Sequence, residues 1–315
     1  MDVIALGELL IDFTCVSVDG DGYPTMAAHP GGAPANFLAA LAKFGAKAGL
    51  IGKVGNDAFG KLLLGTLENA GINTEGMIVD DNFFTTLAFV TLDETGNREF
   101  SFARKPGADT QITEGDILYR LIDEAKVFHF GTLSLTDEPA CTATQKAVAY
   151  AKAKGKLITY DPNLRKPLWK DLETAKEQII WGLRHADVVK ISDEEVEFLW
   201  GLGVEEGARH ILDNFGVKLV FVTCGAEGCY FESAAASGKE PSLTNIQVKD
   251  TTGAGDIFGG SALWKLLQIG KAPENLNETE MRDVVRFACT AASLSTTRFG
   301  GVSSVPEYAE VMACL

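Results

Sequence analysis

The stretch DTTGAGDIFGGSAL, residues 250–263, sets four glycines and two acids directly ahead of an apolar run. A tight turn over Gly253, Ala254 and Gly255 would present backbone N–H groups at the start of a helix carrying Ile257, Phe258, Leu263 and Leu266. Such a helix start is an anion hole, because unpaired amides and the helix dipole both favour phosphate oxygens. Asp256 then stands beside it, placed to take a proton from a hydroxyl that attacks the phosphate. Read in isolation, TTGAGD is also a plain acid cap on a glycine turn. It is not a Walker A loop, since no GK[ST] follows.

The chain around it decides what the turn belongs to. Short β-branched or aromatic runs recur as VIALG, AGLIGKVG, VFHFG, LITYD, VVKIS and LVFVTCG. Helical patterns lie between them at 33–44, 59–70, 139–154, 172–184 and 205–215. Strands that alternate with helices predict an α/β fold: a doubly wound, mostly parallel sheet with helices on both faces. Two stretches depart from the pattern. Residues 86–104 read as a hairpin around DETGN, and residues 12–32 alternate and carry turn residues, so together they predict a small separate β-sheet. The expected organisation is a main domain of 1–11, 33–85 and 105–315 and a β lid of 12–32 and 86–104.

Polar residues cluster after the strands. Asp12 follows the first; Gly131 and Thr132 follow VFHF; Asp161, Asn163 and Arg165 follow LITY. Ser192 to Glu195 follow VVKI, and Cys224 to Gly228 follow VFVT. Ligands of open parallel sheets bind at the carboxyl ends of strands, so these positions converge on one edge.

Net charge is −15 over 315 residues, from 28 Lys and Arg against 43 Asp and Glu. That balance argues against a nucleic-acid partner and against an anionic membrane surface. Six cysteines form no CxxC pair and no metal-ligand spacing with histidine, so they read as buried reduced thiols. The N-terminus has no basic n-region, and no apolar run approaches the roughly 20 residues of a membrane span. A soluble, cytoplasmic protein is expected.

GGAPANFLAALAKFGAKAGLIGKVGNDAFG (31–60) together with DTTGAGDIFGG (250–260) resembles the two signatures of the ribokinase-like, PfkB-type carbohydrate kinases. GELLIDF, TLAFVTLD, YDPNLRKPLW and KISDEEVEFL are similar to the fructokinase branch, and the resemblance runs from residue 2 to Pro306. It implies an ATP-dependent kinase using Mg2+, acting on D-fructose to give fructose 6-phosphate. Asp256 would be the catalytic base, Gly253, Ala254 and Gly255 the anion hole, and Arg165 a cation near the substrate or transferred phosphate. Asp12, Gly31, Gly32, Asn36 and Arg104 would hold the sugar. Ser192 and Glu195 correspond to the element that organises magnesium waters, with Ser in place of Asn. Thr223, Gly225 and Gly228 would line the nucleotide. The resemblance also implies a potassium ion held mostly by backbone carbonyls at Asp250, Thr252, Ser295, Arg298, Gly300 and Ser304. Cys289 stands where some relatives carry a histidine near adenine. Apart from the resemblance, a lid sheet with an apolar face often pairs with its twin, so a homodimer through the lid is an open expectation.

Two alternatives stay open at this stage, and a third fails. A kinase of the same fold could act on 2-keto-3-deoxygluconate or ribose, and a silent family member could serve as a binding protein. A dinucleotide oxidoreductase lacks the glycine fingerprint it would need after the first strand.

Overall fold

Val3 and Ala5 face one side of the first strand, Ile4 and Leu6 the other, and all four are fully buried. A strand apolar on both faces belongs inside a sheet that is covered twice. The structure is a computed structural model and describes residues 1–92 and 98–315. The DETGN turn (93–97) and the side chain of Phe100 lie outside the described residues. The strands, in chain order, begin with β1 (Val3–Leu6), β2 (Leu10–Val18), β3 (Pro24–Gly31), β4 (Ala48–Gly55), β5 (Asn73–Asp80), β6 (Leu87–Leu92) and β7 (Arg98–Ala103). They continue with β8 (Val127–Gly131), β9 (Leu157–Asp161), β10 (Val188–Ser192), β11 (Leu219–Thr223), β12 (Cys229–Ser233) and β13 (Ser237–Glu240).

Among the described residues these strands form two sheets. The larger has the order β13-β12-β11-β10-β9-β8-β1-β4-β5. It is parallel from β11 to β5, and the β12–β13 hairpin adds an antiparallel edge. The chain runs outward from β1 to β4 and β5 on one side, then resumes at β8 on the other. The strand order therefore reverses beside β1, which is where open α/β sheets bind ligands.

Helices Ala140–Ala153, Leu172–His185 and Val204–Phe215 pack against Phe128, Phe130 and Tyr160 on one face. Helices Ala33–Lys43, Ala254–Ile269 and Glu278–Ser295 cover the other. The expected strands and helices are all present, with ends shifted by a residue or two. Strands β5, β12 and β13 and the helix Glu278–Ser295 were not anticipated. NTEGMIVD (73–80) mixes polar and apolar residues without a clean period, as an edge strand does.

The smaller sheet has the order β3-β2-β6-β7, with β2 and β6 parallel to each other. Phe13 stacks on Phe89 at 5.2 Å and meets Phe59 of the helix Ala58–Asn69 edge-on at 5.5 Å. That aromatic contact seats the sheet on the main domain. Among the described residues, no helix is long and apolar enough to cross a membrane. Cys141, Cys224, Cys229 and Cys289 are buried free thiols, whereas Cys15 is half-buried and Cys314 exposed, contrary to the expectation of burial throughout.

Candidate active site

A cavity of about 420 Å³ opens at the carboxyl ends of the parallel strands. Its wall takes Glu8 from the turn after β1, Asp12 from β2 and Phe102 from β7. Asn163 and Arg165 come from the loop after β9, Lys190 and Ser192 from β10, and Thr223 from the end of β11. Thr251 to Gly253, Gly255 and Asp256 also line it. Residues from both sheets thus share one cavity.

Gly253 caps the helix Ala254–Ile269 with φ 76°, a left-handed conformation that glycine adopts without strain. A side chain there would also come within 3.0 Å of the Asn36 amide. Asp256 is buried in the first turn of this helix and faces the cavity. Its Oδ2 accepts a hydrogen bond of 2.9 Å from Nδ2 of Asn36, which lies on the helix Ala33–Lys43. Burial raises the Asp256 carboxyl above the ordinary aspartate value; Lys190, the Asn36 hydrogen bond and Arg165 oppose that rise.

Lys190 crosses beneath this turn. Its Nζ pairs with both oxygens of Asp161, at 3.0 and 3.2 Å, and a side chain at Gly255 would come within 2.9 Å of it. Burial works to discharge the ammonium, but Asp161, Glu195 and Asp256 outweigh it and hold Lys190 above the ordinary lysine value. Half-buried Arg165 acts on both Asp12 and Asp256, favouring their charged forms. Two cations and a helix start therefore surround one carboxylate.

Ser192 and Glu195 form a reciprocal cap. Ser192 N donates to Glu195 Oε2 at 2.9 Å, and Glu195 N donates to the Ser192 hydroxyl at 3.2 Å. Glu195 Oε1 also accepts from Leu164 N at 2.6 Å, tying the loop of Arg165 to the helix Asp193–Trp200. Thr223 and Gly225 line the cavity, whereas Gly228 does not. At φ 99° Gly228 turns the chain into β12, and a side chain there would strike Glu240 O. Cys289 sits in the apolar core between the helix Glu278–Ser295 and β12, outside the cavity lining.

The expected sugar residues separate into two groups. Asp12, Gly32 and Asn36 line the cavity, and Gly31 packs directly on the Asp12 carboxyl. Asp12 follows the first strand only at a distance. β1 ends at Leu6, Gly7, Glu8 and Leu9 form the turn after it, and Asp12 is the third residue of β2 in the small sheet. Burial pushes its carboxyl up to about 7, with Arg165 pulling it back and Asp256 and Asp250 adding to the rise. Arg104 is buried away from this wall. Its guanidinium donates to Asp109 at 2.8 Å, to Thr136 Oγ1 at 2.8 Å and to Leu133 O at 2.9 Å, and it lines a neighbouring cleft.

Asp250, Thr252 and Gly300 meet beside the glycine turn. Asp250 Oδ1 accepts from Thr252 Oγ1 at 2.7 Å, and Oδ2 accepts from Gly300 N at 3.0 Å. Ser295 and Ser304 turn their hydroxyls to the carbonyls of Ala292 and Gly301, and Arg298 reaches Glu310. Among the described residues, no group of three or more His, Cys, Asp or Glu side chains is placed to hold a metal ion.

A protein-family model described as pfkB family carbohydrate kinase matches residues 1–308. The chain belongs to that family. It is 40% identical to fructokinase-2 of Solanum lycopersicum over 99% of this chain and 95% of the relative. It superposes on a fructokinase with bound ATP from Xylella fastidiosa with TM-score 0.90 and 30% identity, covering 99% and 97% of the two chains. A fructokinase double mutant from Vibrio cholerae O395, in a fructose, ADP and potassium ion bound form, superposes with TM-score 0.88 and 31% identity, covering 99% and 98%.

As a pfkB family carbohydrate kinase, the protein is a phosphotransferase that acts on a sugar hydroxyl. Its fold is ribokinase-like. Two ionisable lining residues went unread in the sequence. Lys190 had a signal, a lysine inside the apolar run VVKIS of a strand buried on both faces. Glu8 stood in GELLIDF without any local pattern to single it out.

Proposed function

We propose that this carbohydrate kinase transfers the γ-phosphoryl group of ATP to D-fructose, giving fructose 6-phosphate. The observation that carries the reading is Asp256, buried at the mouth of a helix with one oxygen held by Asn36 and the cavity shared with Asp12. The ATP-bound and fructose-bound relatives support the two substrates. Magnesium fits as an ion carried by the phosphates and water rather than by a protein cage, which is how it commonly binds. The magnesium–ATP complex supplies the phosphoryl group.

The chain's own residues do the rest. Asn36 holds Oδ2 of Asp256, so Oδ1 takes the proton from the attacking hydroxyl. The N–H groups of Gly253 and Gly255 and the Lys190 ammonium meet the charge that gathers on the phosphoryl oxygens, in a site where burial weakens solvent screening. The Ala254 N–H, outside the cavity lining, donates instead to Thr251 O. Arg165 spans both ends of the cavity, near the acceptor at Asp12 and near the phosphoryl at Asp256. Thr223 and Gly225 lie on the nucleotide side, and Ser192 and Glu195 would organise the waters of a phosphate-bound magnesium. On the same reading a potassium ion would be held mostly by backbone carbonyls at 250, 252, 295, 298, 300 and 304. The small sheet closes over the sugar as a lid, which excludes water from the phosphoryl donor.

ADP release measured across a panel of sugars tests the reading. Fructose should have the highest kcat/KM, and a higher value for ribose or 2-keto-3-deoxygluconate would overturn it. Asp12→Ala should raise KM for the sugar roughly 10- to 150-fold, the worth of one charged hydrogen bond, while leaving KM for ATP nearly unchanged. An equal rise for both substrates would remove Asp12 from the sugar pocket. Because burial lifts the Asp12 carboxyl to about 7, it is neutral below that pH and loses its charged acceptor. KM for the sugar should therefore climb as pH falls from 8 to 6, and Asp12→Asn should flatten that climb.

A further inference from the structure

Pairing in the small sheet sets three residues in one row across its strands. Asp12 of β2 stands opposite Ala88 of β6, and Ala88 stands opposite Phe102 of β7. Residues paired in this way point to the same face of a sheet. Asp12 and Phe102 accordingly both line the active-site cavity, and buried Ala88 puts only a methyl group between them. The two larger side chains bound a slot two strand spacings wide, about 9.6 Å. β7 is the outer strand of this sheet, so Phe102 is the wall at which the slot ends.

Phe102 also borders the neighbouring cleft, whose volume is about 480 Å³. Among the described residues it alone lines both spaces. Thr110, Gln111, Asp137 and Glu138 face the cleft and offer the donors and acceptors that suit hydroxyl groups. The flanking walls run on from one space to the other. Arg165 lines the cavity, while Pro167 and Leu168 of the same loop line the cleft. Arg104, two residues after Phe102, donates to the carbonyl of Leu133, which lines the cavity. One aromatic ring is the partition between two cavities of similar size.

We infer that Phe102 is a specificity-determining residue, whose ring ends the sugar slot and confines the acceptor to a single monosaccharide. A fructose that carries a second sugar ring and keeps its 6-hydroxyl free needs space beyond one end of the slot. The nucleotide takes the end at Thr223 and Gly225, and the ring of Phe102 blocks the other. With the ring removed, the second sugar enters the cleft. The inference rests on the proposed reading of the cavity as the fructose site.

The test compares Phe102→Ala with wild type on fructose and on trehalulose, turanose and maltulose, which carry a glucosyl group on O1, O3 and O4 of fructose and keep O6 free. Wild type should favour fructose over all three. In Phe102→Ala the ratio of kcat/KM for at least one disaccharide to that for fructose should rise by roughly tenfold or more, the scale on which pocket shape discriminates. The product mass should be that of a phosphorylated disaccharide. Phe102→Leu, which keeps an apolar branched side chain in the gap, should give a smaller rise. Ratios unchanged for all three disaccharides would overturn the role of Phe102, as would a wild type that uses any of them as well as fructose. A wild-type preference for ribose or 2-keto-3-deoxygluconate would instead overturn the fructose reading. A second measurement needs no variant: the Tm of the wild-type protein with fructose or with each disaccharide at the same concentration. Fructose should raise Tm where the disaccharides do not, and equal shifts would overturn the partition.

Discussion

Asp256→Asn should cut turnover by roughly two to four decades, the usual contribution of a positioned general base. The amide keeps the shape of the carboxylate, and its oxygen can still accept from Asn36 Nδ2, but it cannot take the proton of the sugar hydroxyl. Nucleotide affinity should change little, since the helix start keeps its backbone. Stability supplies a second readout with a definite sign. Burial raises the Asp256 carboxyl, so the folded state at neutral pH holds this charge at a cost. The neutral amide removes that cost, and Tm should stay level or rise. A variant that keeps more than about a tenth of wild-type turnover would exclude Asp256 as the base. A large fall in Tm would mean that the residue is structural first.

Lys190→Met should lower both turnover and stability, and the two losses can be separated. Removing the ammonium leaves Asp161 buried without the cation that sits 3.0 Å away, a change that typically costs about 3–5 kcal/mol. It also withdraws the charge beneath Gly255, and loss of one preorganised electrostatic partner costs roughly 100- to 1,000-fold in kcat. The double variant Lys190→Met with Asp161→Asn replaces the ion pair by two neutral groups. It should recover most of the lost Tm and little of the lost kcat. If turnover returns together with stability, Lys190 acts only as a partner to Asp161 and has no part in the phosphoryl transfer.

The sites reported by a single strand or turn were legible from the chain. GGAPAN and TTGAGD each carry their geometry locally, because glycine permits the turn and the following apolar run continues as a helix. Arg104 shows the limit of that legibility. FSFAR marks it as an arginine at the end of a hairpin, yet its side chain turns toward Asp109, Thr136 and Leu133 rather than into the cavity. Those partners lie up to 32 residues away, and no periodicity in the hairpin refers to them.

By itself the sequence determined the alternation of strands and helices, the separate small sheet and the glycine turn that opens the helix Ala254–Ile269. Each follows from backbone preference and from which faces are apolar, and those are properties of a few consecutive residues. Only the tertiary structure decided that Asn36 meets Asp256 across 220 residues, that Lys190 lies under Gly255, and that Glu8 holds the start of the helix Ala33–Lys43. The strand order brings these pairs together, by setting β1 between β4 and β8 and placing β10 beside β9. A hydrogen bond between distant segments depends on that order and on side-chain direction at ångström scale, neither of which is written in the pattern of either segment alone.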